Sequence, residues 1–444
     1  MNTPICDFVN KYVHSRPVRL HMPGHKGVRF LGAEPLDITE IHGMDSLYDG
    51  TGVIAESEAN ASSLFGAHTV YSTEGSSLCI RAMLRLVSLT AKERGEPPRV
   101  LATRNVHKSF LSGVALLDIA VSWLYPEADG PYLSAPLTPA ALEAYLSTHP
   151  LPHALYVTSP DYLGCTVDVG GLSEVCHRYG IYLLVDNAHG AYLKFLAQSR
   201  HPIDLGADMC CDSAHKTLPA LTGGAYLHIA PSAPHEWKSR AKEAMALFGS
   251  TSPSFLILES LDLLNPYLAT DYRRELQAFL PALSAVKADL TQAGFVTVGD
   301  EPLKLTLATK PYGYTGTEVA AHLRGCGIEC EFSDPDFTVL MFTPRTGKED
   351  LDRVREVLLG LPRKAPLTAI PPKQVRQTVA MSVREATLAP CETVPAKDAL
   401  GRTLASATVS CPPAVPILMC GEVIGEAAIA AFAYYGTDTV SVVR

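Results

Sequence analysis

Residues 207–230 read ADMCCDSAHKTLPALTGGAYLHIA. Two apolar runs flank a polar knot in which a histidine and a lysine stand between a serine and a threonine, and a Gly pair closes the turn. A lysine beside a core strand is unusual, and its amine becomes a nucleophile when desolvation lowers its pKa. The stretch therefore asks what Lys216 does; a solvated loop lysine is the plain alternative.

The same strand-then-polar pattern recurs on the N-terminal side. RVLAT (99–103), VSWLY (121–125), ALYVTSP (154–160) and IYLLVDNAHG (181–190) are short β-rich runs. Helical stretches at Ser76 to Arg94, near Ser109, in TPAALEAYLS (138–147) and in GLSEVCHRYG (171–180) separate them. This alternation predicts an α/β fold, a mostly parallel sheet with helices on both faces. Ligands of such sheets bind beyond the carboxyl ends of the strands. The clusters TSPDYLG (158–164), DNAHG (186–190) and DSAHKT (212–217) all fall there.

Residues 1–50, rich in Gly, Pro and His, are expected to form an N-terminal arm, 51–290 a large domain and 291–444 a smaller C-terminal α/β region. The Pro-rich LPRKAPLTAIPPK (361–373) reads as a linker. With 444 residues, 47% hydrophobic and 19% charged, the chain buries a large core. A net charge of −9 and a pI near 5.9 argue against nucleic acid or an anionic membrane as partner and favour small-molecule chemistry. The first twenty residues mix charges into every short window, and no apolar run reaches membrane-spanning length, so a cytoplasmic location is expected. Eleven cysteines, an odd number with Cys210 and Cys211 adjacent and no recurring CxxC, suggest reduced thiols and no metal site.

Asp186 ends the apolar run LLVD, and a buried carboxylate needs a partner. It is either a turn aspartate or the partner of a cationic ring nitrogen. Gly75, Ser76 and Ser77 precede an apolar helical run, where backbone N–H groups and hydroxyls face an anion or simply cap the helix. His107, at the entrance to the next helix, either caps it or lies over a flat ring. Together, a strand-end Asp, a Lys near the next strand end and a Gly/Ser turn are what pyridoxal 5'-phosphate (PLP) needs: a pyridinium partner, a Schiff-base lysine and a phosphate cradle.

The strings LHMPGHKG (20–27), RNVHKS (104–109), TSPDYLG, LLVDNAHGAYL (183–193), DSAHKTLPALTGGAYLH (212–228), TSPSFLILESLD (251–262), IECEFSD (328–334) and CPPAVP with CGE (411–422) stand in family order. They resemble the ornithine/lysine/arginine decarboxylases, fold type I PLP enzymes, over nearly the whole chain. The resemblance implies an aspartate aminotransferase-like large domain with a mostly parallel seven-stranded sheet and a smaller C-terminal domain. It implies that Lys216 bonds to the cofactor, that Asp186 keeps the ring nitrogen protonated, and that Ala188 and His107 cover the two ring faces. Gly75, Ser76, Ser77 and Ser213 would hold the phosphate, with His189 a further cofactor contact. His215 would sit near the reacting carbon as a proton donor, and Thr217 would shape the loop that delivers the lysine.

The implied reaction is decarboxylation of a basic L-amino acid, arginine or lysine before ornithine, to its amine, feeding polyamine synthesis or acid consumption. Glu331 is the expected partner of the distal cation, with Asp334, Asp161 and His25 as further substrate-binding candidates. A homodimer with its active site at the subunit interface is expected, His21, His25 and Lys26 of one arm approaching the other subunit's cofactor. Nothing in the sequence corresponds to the large N-terminal domain of the long family members, so their decamer is not assumed.

Several residues depart from the family pattern. Asn187 stands for the usual Glu, Asp161 for a hydroxyl residue, Cys411 and Ala414 for Tyr and Gly, and Cys420 for Pro. Two other readings stay open on sequence alone. One is an aminotransferase or lyase, with Arg345 clamping the substrate carboxylate; the other is a catalytically silent regulatory paralogue.

Overall fold

The computed structural model describes residues 1–126, 130–373, 375–407 and 413–444; Cys411 lies outside the described residues. The chain begins α1 (Pro4–His14), α2 (Val53–Phe65), β1 (His68–Ser72), α3 (Gly75–Glu93), β2 (Arg99–Thr103), α4 (Lys108–Leu117), β3 (Ala120–Leu124), α5 (Pro139–Leu146), β4 (Ala154–Thr158) and α6 (Val169–Arg178). It continues β5 (Tyr182–Asp186), β6 (Met209–Asp212), α7 (Ala214–Thr217), β7 (Ala225–Ile229), α8 (His235–Ala246), α9 (Phe255–Thr270) and α10 (Tyr272–Gln292). The remainder holds β8 (Val296–Val298), β9 (Lys304–Ala308), α11 (Gly316–Gly325), β10 (Phe332–Ser333), β11 (Phe337–Met341), α12 (Gly347–Leu359), α13 (Val383–Leu388), β12 (Cys391–Pro395), β13 (Leu404–Ser406), α14 (Glu426–Tyr434) and β14 (Thr439–Val443). The mostly parallel seven-stranded sheet and the smaller C-terminal α/β region expected from the sequence are both present.

Two compact units divide the chain, Met1–Thr90 with Tyr182–Glu275 and Ala91–Ile181 with Leu276–Arg444. In the first, the strand order is β1-β7-β6-β5. β5 and β6 are parallel, while β7 is antiparallel to both β6 and β1. Two reversals restore direction, so β1, β5 and β6 all end at one edge of this unit. Val185, Cys210, Cys211 and Leu227 are fully buried, as strands covered on both faces require.

The first dozen residues of the expected arm are the helix α1, started by Pro4 and burying Ile5, Cys6 and Val9. Its anchor is polar: the Cys6 N–H donates to Asp262 Oδ2 at 3.0 Å, and the Ser57 hydroxyl donates to Asp262 Oδ1 at 2.6 Å. Beside them Glu259 Oε1 is buried without a partner among the described residues. Burial, then the charges of Asp262 and Asp37, pushes the Glu259 carboxyl up to about 8. Between about pH 4 and about 8 the folded chain keeps a proton that the unfolded chain has lost, so stability falls as pH rises through that window. Glu259→Gln should flatten this slope, raising the thermal midpoint at pH 8.5 more than at pH 5. Equal shifts at both values would contradict it.

Residues 15–52 carry no regular element, and Val18, Leu20, Val28, Phe30 and Leu31 are exposed there. The second unit holds β4-β2-β3, all parallel, the antiparallel sheet β10-β11-β9-β8 and the small sheet β12-β14-β13. Its firmest tie is Arg104 at the end of β2. The guanidinium meets Glu422 through two bonds, 2.6 and 3.0 Å, with both side chains buried.

Candidate active site

Because β1, β5 and β6 end at one edge of the first unit, the loops after them share that edge. Asp186 is the last residue of β5 and 2% exposed. Its Oδ1 accepts the Ala188 N–H at 3.2 Å and the Cys211 thiol at 3.6 Å. The next strand ends at Asp212, and the chain turns at once into the single-turn helix α7, which carries His215 and Lys216. Lys216 Nζ lies 3.0 Å from Nε2 of His189, in the loop after Asp186. The lysine is thus aimed at the segment that follows the buried carboxylate.

After β1 the chain reaches Gly75, whose φ of +68° suits glycine, and its N–H donates to Gly223 O at 2.8 Å. Ser76 and Ser77 follow in the first turn of α3. The Ser213 hydroxyl donates to Ser76 Oγ at 2.9 Å, which gathers hydroxyls from two loops at the positive end of a 19-residue helix. His215 Nδ1 is 2.9 Å from Gly224 O. A carbonyl only accepts, so Nδ1 carries the proton and Nε2 is the nitrogen with a lone pair in the neutral ring.

Under this edge lies a buried network that the sequence did not disclose. Asp212 accepts from Asn187 Nδ2 at 2.6 Å, His201 Nε2 at 3.0 Å and His228 Nε2 at 3.2 Å, and Thr69 Oγ1 is 2.9 Å from His228 Nδ1. Burial works against ionisation of Asp212, but the two imidazoles more than offset it and hold the carboxyl below its usual range. Asn187 departs from the family's Glu, and here its amide donates where a second carboxylate would repel Asp212. His201, Cys210 and Asp212 are close enough to suggest a metal cluster. The hydrogen bonds already described account for this grouping, with the imidazole Nε2–H directed at the carboxylate.

PLP fits this arrangement. Lys216 would supply the amine, Asp186 the carboxylate for the ring nitrogen, and Ser76, Ser77 and Ser213 the hydroxyls for the phosphate. Thr217 Oγ1, next to the lysine, is buried without a partner among the described residues, a donor left for a bound group. Ala188 and His189 are buried in the loop between the carboxylate and the lysine.

In the second unit, His107 caps α4, its Nδ1 accepting the Ser109 N–H at 3.1 Å. The cap holds the imidazole through Nδ1. Asp161 is a buried turn residue whose Oδ1 accepts the Leu163 and Cys165 N–H groups, both at 2.9 Å. Burial pushes its carboxyl up despite these bonds. Glu331 accepts the Tyr162 hydroxyl at 2.6 Å. Asp334 uses Oδ1 for the Asp336 and Phe337 N–H groups, both at 2.7 Å, and burial brings its carboxyl up to about 6. In the first unit His25 pairs with Asp37 at 3.2 Å, and Lys26 Nζ donates to His21 O at 2.5 Å. Arg345 is exposed in a turn whose N–H is capped by Thr343 Oγ1 at 3.2 Å.

Sequence reading missed the Asp212 network, the Tyr162–Glu331 bond and the Arg104–Glu422 pair. The signal for the last was present, since Glu422 belongs to the CGE string that carried no role.

Residues 3–298 match the family described as Orn/Lys/Arg decarboxylase, major domain, and residues 367–437 match its C-terminal domain. The arginine decarboxylase of Bacillus subtilis is 30% identical over 456 residues, covering 96% of this chain and 91% of that protein. The arginine decarboxylase of Halalkalibacterium halodurans is 31% identical over 464 residues, covering 96% and 92%. Among solved structures, lysine decarboxylase A from Pseudomonas aeruginosa superposes with a TM-score of 0.79 at 19% identity, covering 99% of this chain and 80% of that one. That likeness bears on the fold.

Proposed function

The chain belongs to the Orn/Lys/Arg decarboxylase family, and on that basis we propose that it decarboxylates arginine, releasing agmatine and CO2. Its class is that of a PLP-dependent decarboxylase acting on a basic amino acid. Arginine is favoured over lysine because the arginine decarboxylases align over more than nine-tenths of both chains, whereas the Pseudomonas lysine decarboxylase LdcA aligns over 40% of its own length. The observation that carries the reading is Lys216, its amine 3.0 Å from His189 beyond the strand end that buries Asp186.

Bound at this edge, PLP supplies the electron sink for the pair left behind when CO2 departs. The protein's residues do the rest. Lys216 would hold the cofactor through its amine. Asp186, buried at the end of β5, would keep a proton on the ring nitrogen. Ser76, Ser77 and Ser213 would orient the phosphate at the helix N-terminus. His215, its Nδ1–H donated to Gly224 O, would take up a proton from solvent at Nε2 and, as the imidazolium, return that proton to the carbon that lost CO2.

A decarboxylase keeps the leaving carboxylate in an apolar setting, because its charge disperses in the transition state and fixed cations would favour the ground state. The distal guanidinium is assigned to Glu331. The protein is proposed to act as a cytoplasmic homodimer feeding polyamine synthesis, with His21, His25 and Lys26 of one arm near the partner's cofactor. Among the described residues no helix is long and apolar enough to cross a membrane.

PLP-loaded protein incubated separately with arginine, lysine and ornithine should yield agmatine from arginine, identified by mass spectrometry. Cadaverine or putrescine as the main product would change the substrate. A keto acid with loss of the cofactor's aldehyde would establish an aminotransferase and turn attention to Arg345.

A further inference from the structure

We propose that Tyr162 is a positioning residue for substrate recognition: its hydroxyl sets the Glu331 carboxylate for the distal cation of the substrate. This deepens the assignment of Glu331 and rests on it. The loop TSPDYLG carries Asp161 where the family has a hydroxyl residue, and the bonds around that aspartate explain how the loop is held.

The Asp161 carboxylate accepts two N–H groups ahead of it in the chain, from Leu163 and Cys165, and the Asp161 N–H donates to Cys165 O at 2.9 Å. Buried Lys304, on β9, donates Nζ to Asp161 O at 3.1 Å and to Tyr162 O at 3.3 Å, and the same ammonium stands 5.7 Å from the Tyr162 ring centroid. Backbone on both sides of the tyrosine is thereby fastened. The ring is 7% exposed and packs with Leu133, Leu163, Phe337 and Val339, with Phe332 edge-on at 5.4 Å. A phenol so confined has one direction for its hydroxyl, and it points at Glu331 Oε1, 2.6 Å away.

Glu331 is fixed from its own side as well, its N–H donating to Val339 O at 3.0 Å. The choice of partner matters chemically. A lysine or arginine beside Glu331 would cancel its charge, whereas a phenol orients the carboxylate and leaves the full negative charge for a cation. Arranging the acceptor in advance spares the complex the cost of ordering a glutamate side chain when the substrate arrives.

The test compares Tyr162→Phe, Glu331→Gln and the double variant as PLP-loaded enzymes, using arginine kinetics and the affinity for agmatine by titration calorimetry. Tyr162→Phe keeps the ring, and unchanged cofactor absorbance with a cooperative thermal transition checks the fold. The expected result for Tyr162→Phe is a rise of about tenfold in both KM and the agmatine Kd, exceeding any fall in kcat. Glu331→Gln should weaken both by about 100-fold, and adding Tyr162→Phe to it should change nothing further. A large Glu331→Gln effect with none from Tyr162→Phe overturns the role of Tyr162 and leaves the Glu331 assignment standing. An unchanged agmatine Kd in Glu331→Gln overturns that assignment itself. Additive effects in the double variant would mean that Tyr162 acts by another route and would also sink the inference.

Discussion

Lys216→Ala is expected to lower turnover of the basic amino acid on the order of 10³-fold or more, because a nucleophile that bonds to the cofactor has no substitute. The variant should also lose the visible absorption of covalently held PLP and release the cofactor on dialysis. Lys216→Arg sharpens the result, since it keeps a cation near His189 but cannot form the bond. Charge alone should restore no more than weak cofactor binding. Turnover within tenfold of wild type in either variant, with the absorption intact, would show that another amine carries the cofactor.

The second large effect concerns stability. Glu422→Gln should destabilise the protein by about 3–5 kcal/mol, because it leaves the Arg104 guanidinium buried without its counter-charge. Arg104 is 5% exposed and Glu422 1%, so water cannot take over. Glu422 also accepts the Tyr125 hydroxyl at 3.1 Å and the Met419 N–H at 2.9 Å, and the whole group loosens with it. A fall of about 3–5 °C in the midpoint of thermal unfolding is the expected reading. Replacing both partners, with Arg104→Met and Glu422→Leu, should recover part of the loss because no buried charge is left unmatched. A Glu422→Gln midpoint within 2 °C of wild type would show that the pair contributes little.

Much of the large domain was legible from local pattern. Runs such as RVLAT and ALYVT are apolar, short and separated by amphipathic stretches, and each became a strand within a residue or two of its expected ends. The polar loops were legible too, because in a parallel sheet the chain must turn at the strand ends, which puts Asp186 and Lys216 in contiguous motifs. Residues 1–50 were read less well. Only α1 has the spacing that marks a buried face, and its docking depends on Asp262, 256 positions from Cys6.

The sequence by itself determined the order of the strands and helices of the large sheet, and the family, since each of these is written in neighbouring residues and in the period of the apolar ones. Tertiary structure alone decided which distant side chains meet. Tyr162 and Glu331 are 169 positions apart, Arg104 and Glu422 318, and Asp212 collects His201, His228 and Asn187 from three different segments. No local pattern encodes such pairs. Each forms because packing removes water from both groups at once, and a buried polar atom must then find its partner wherever the fold has brought one.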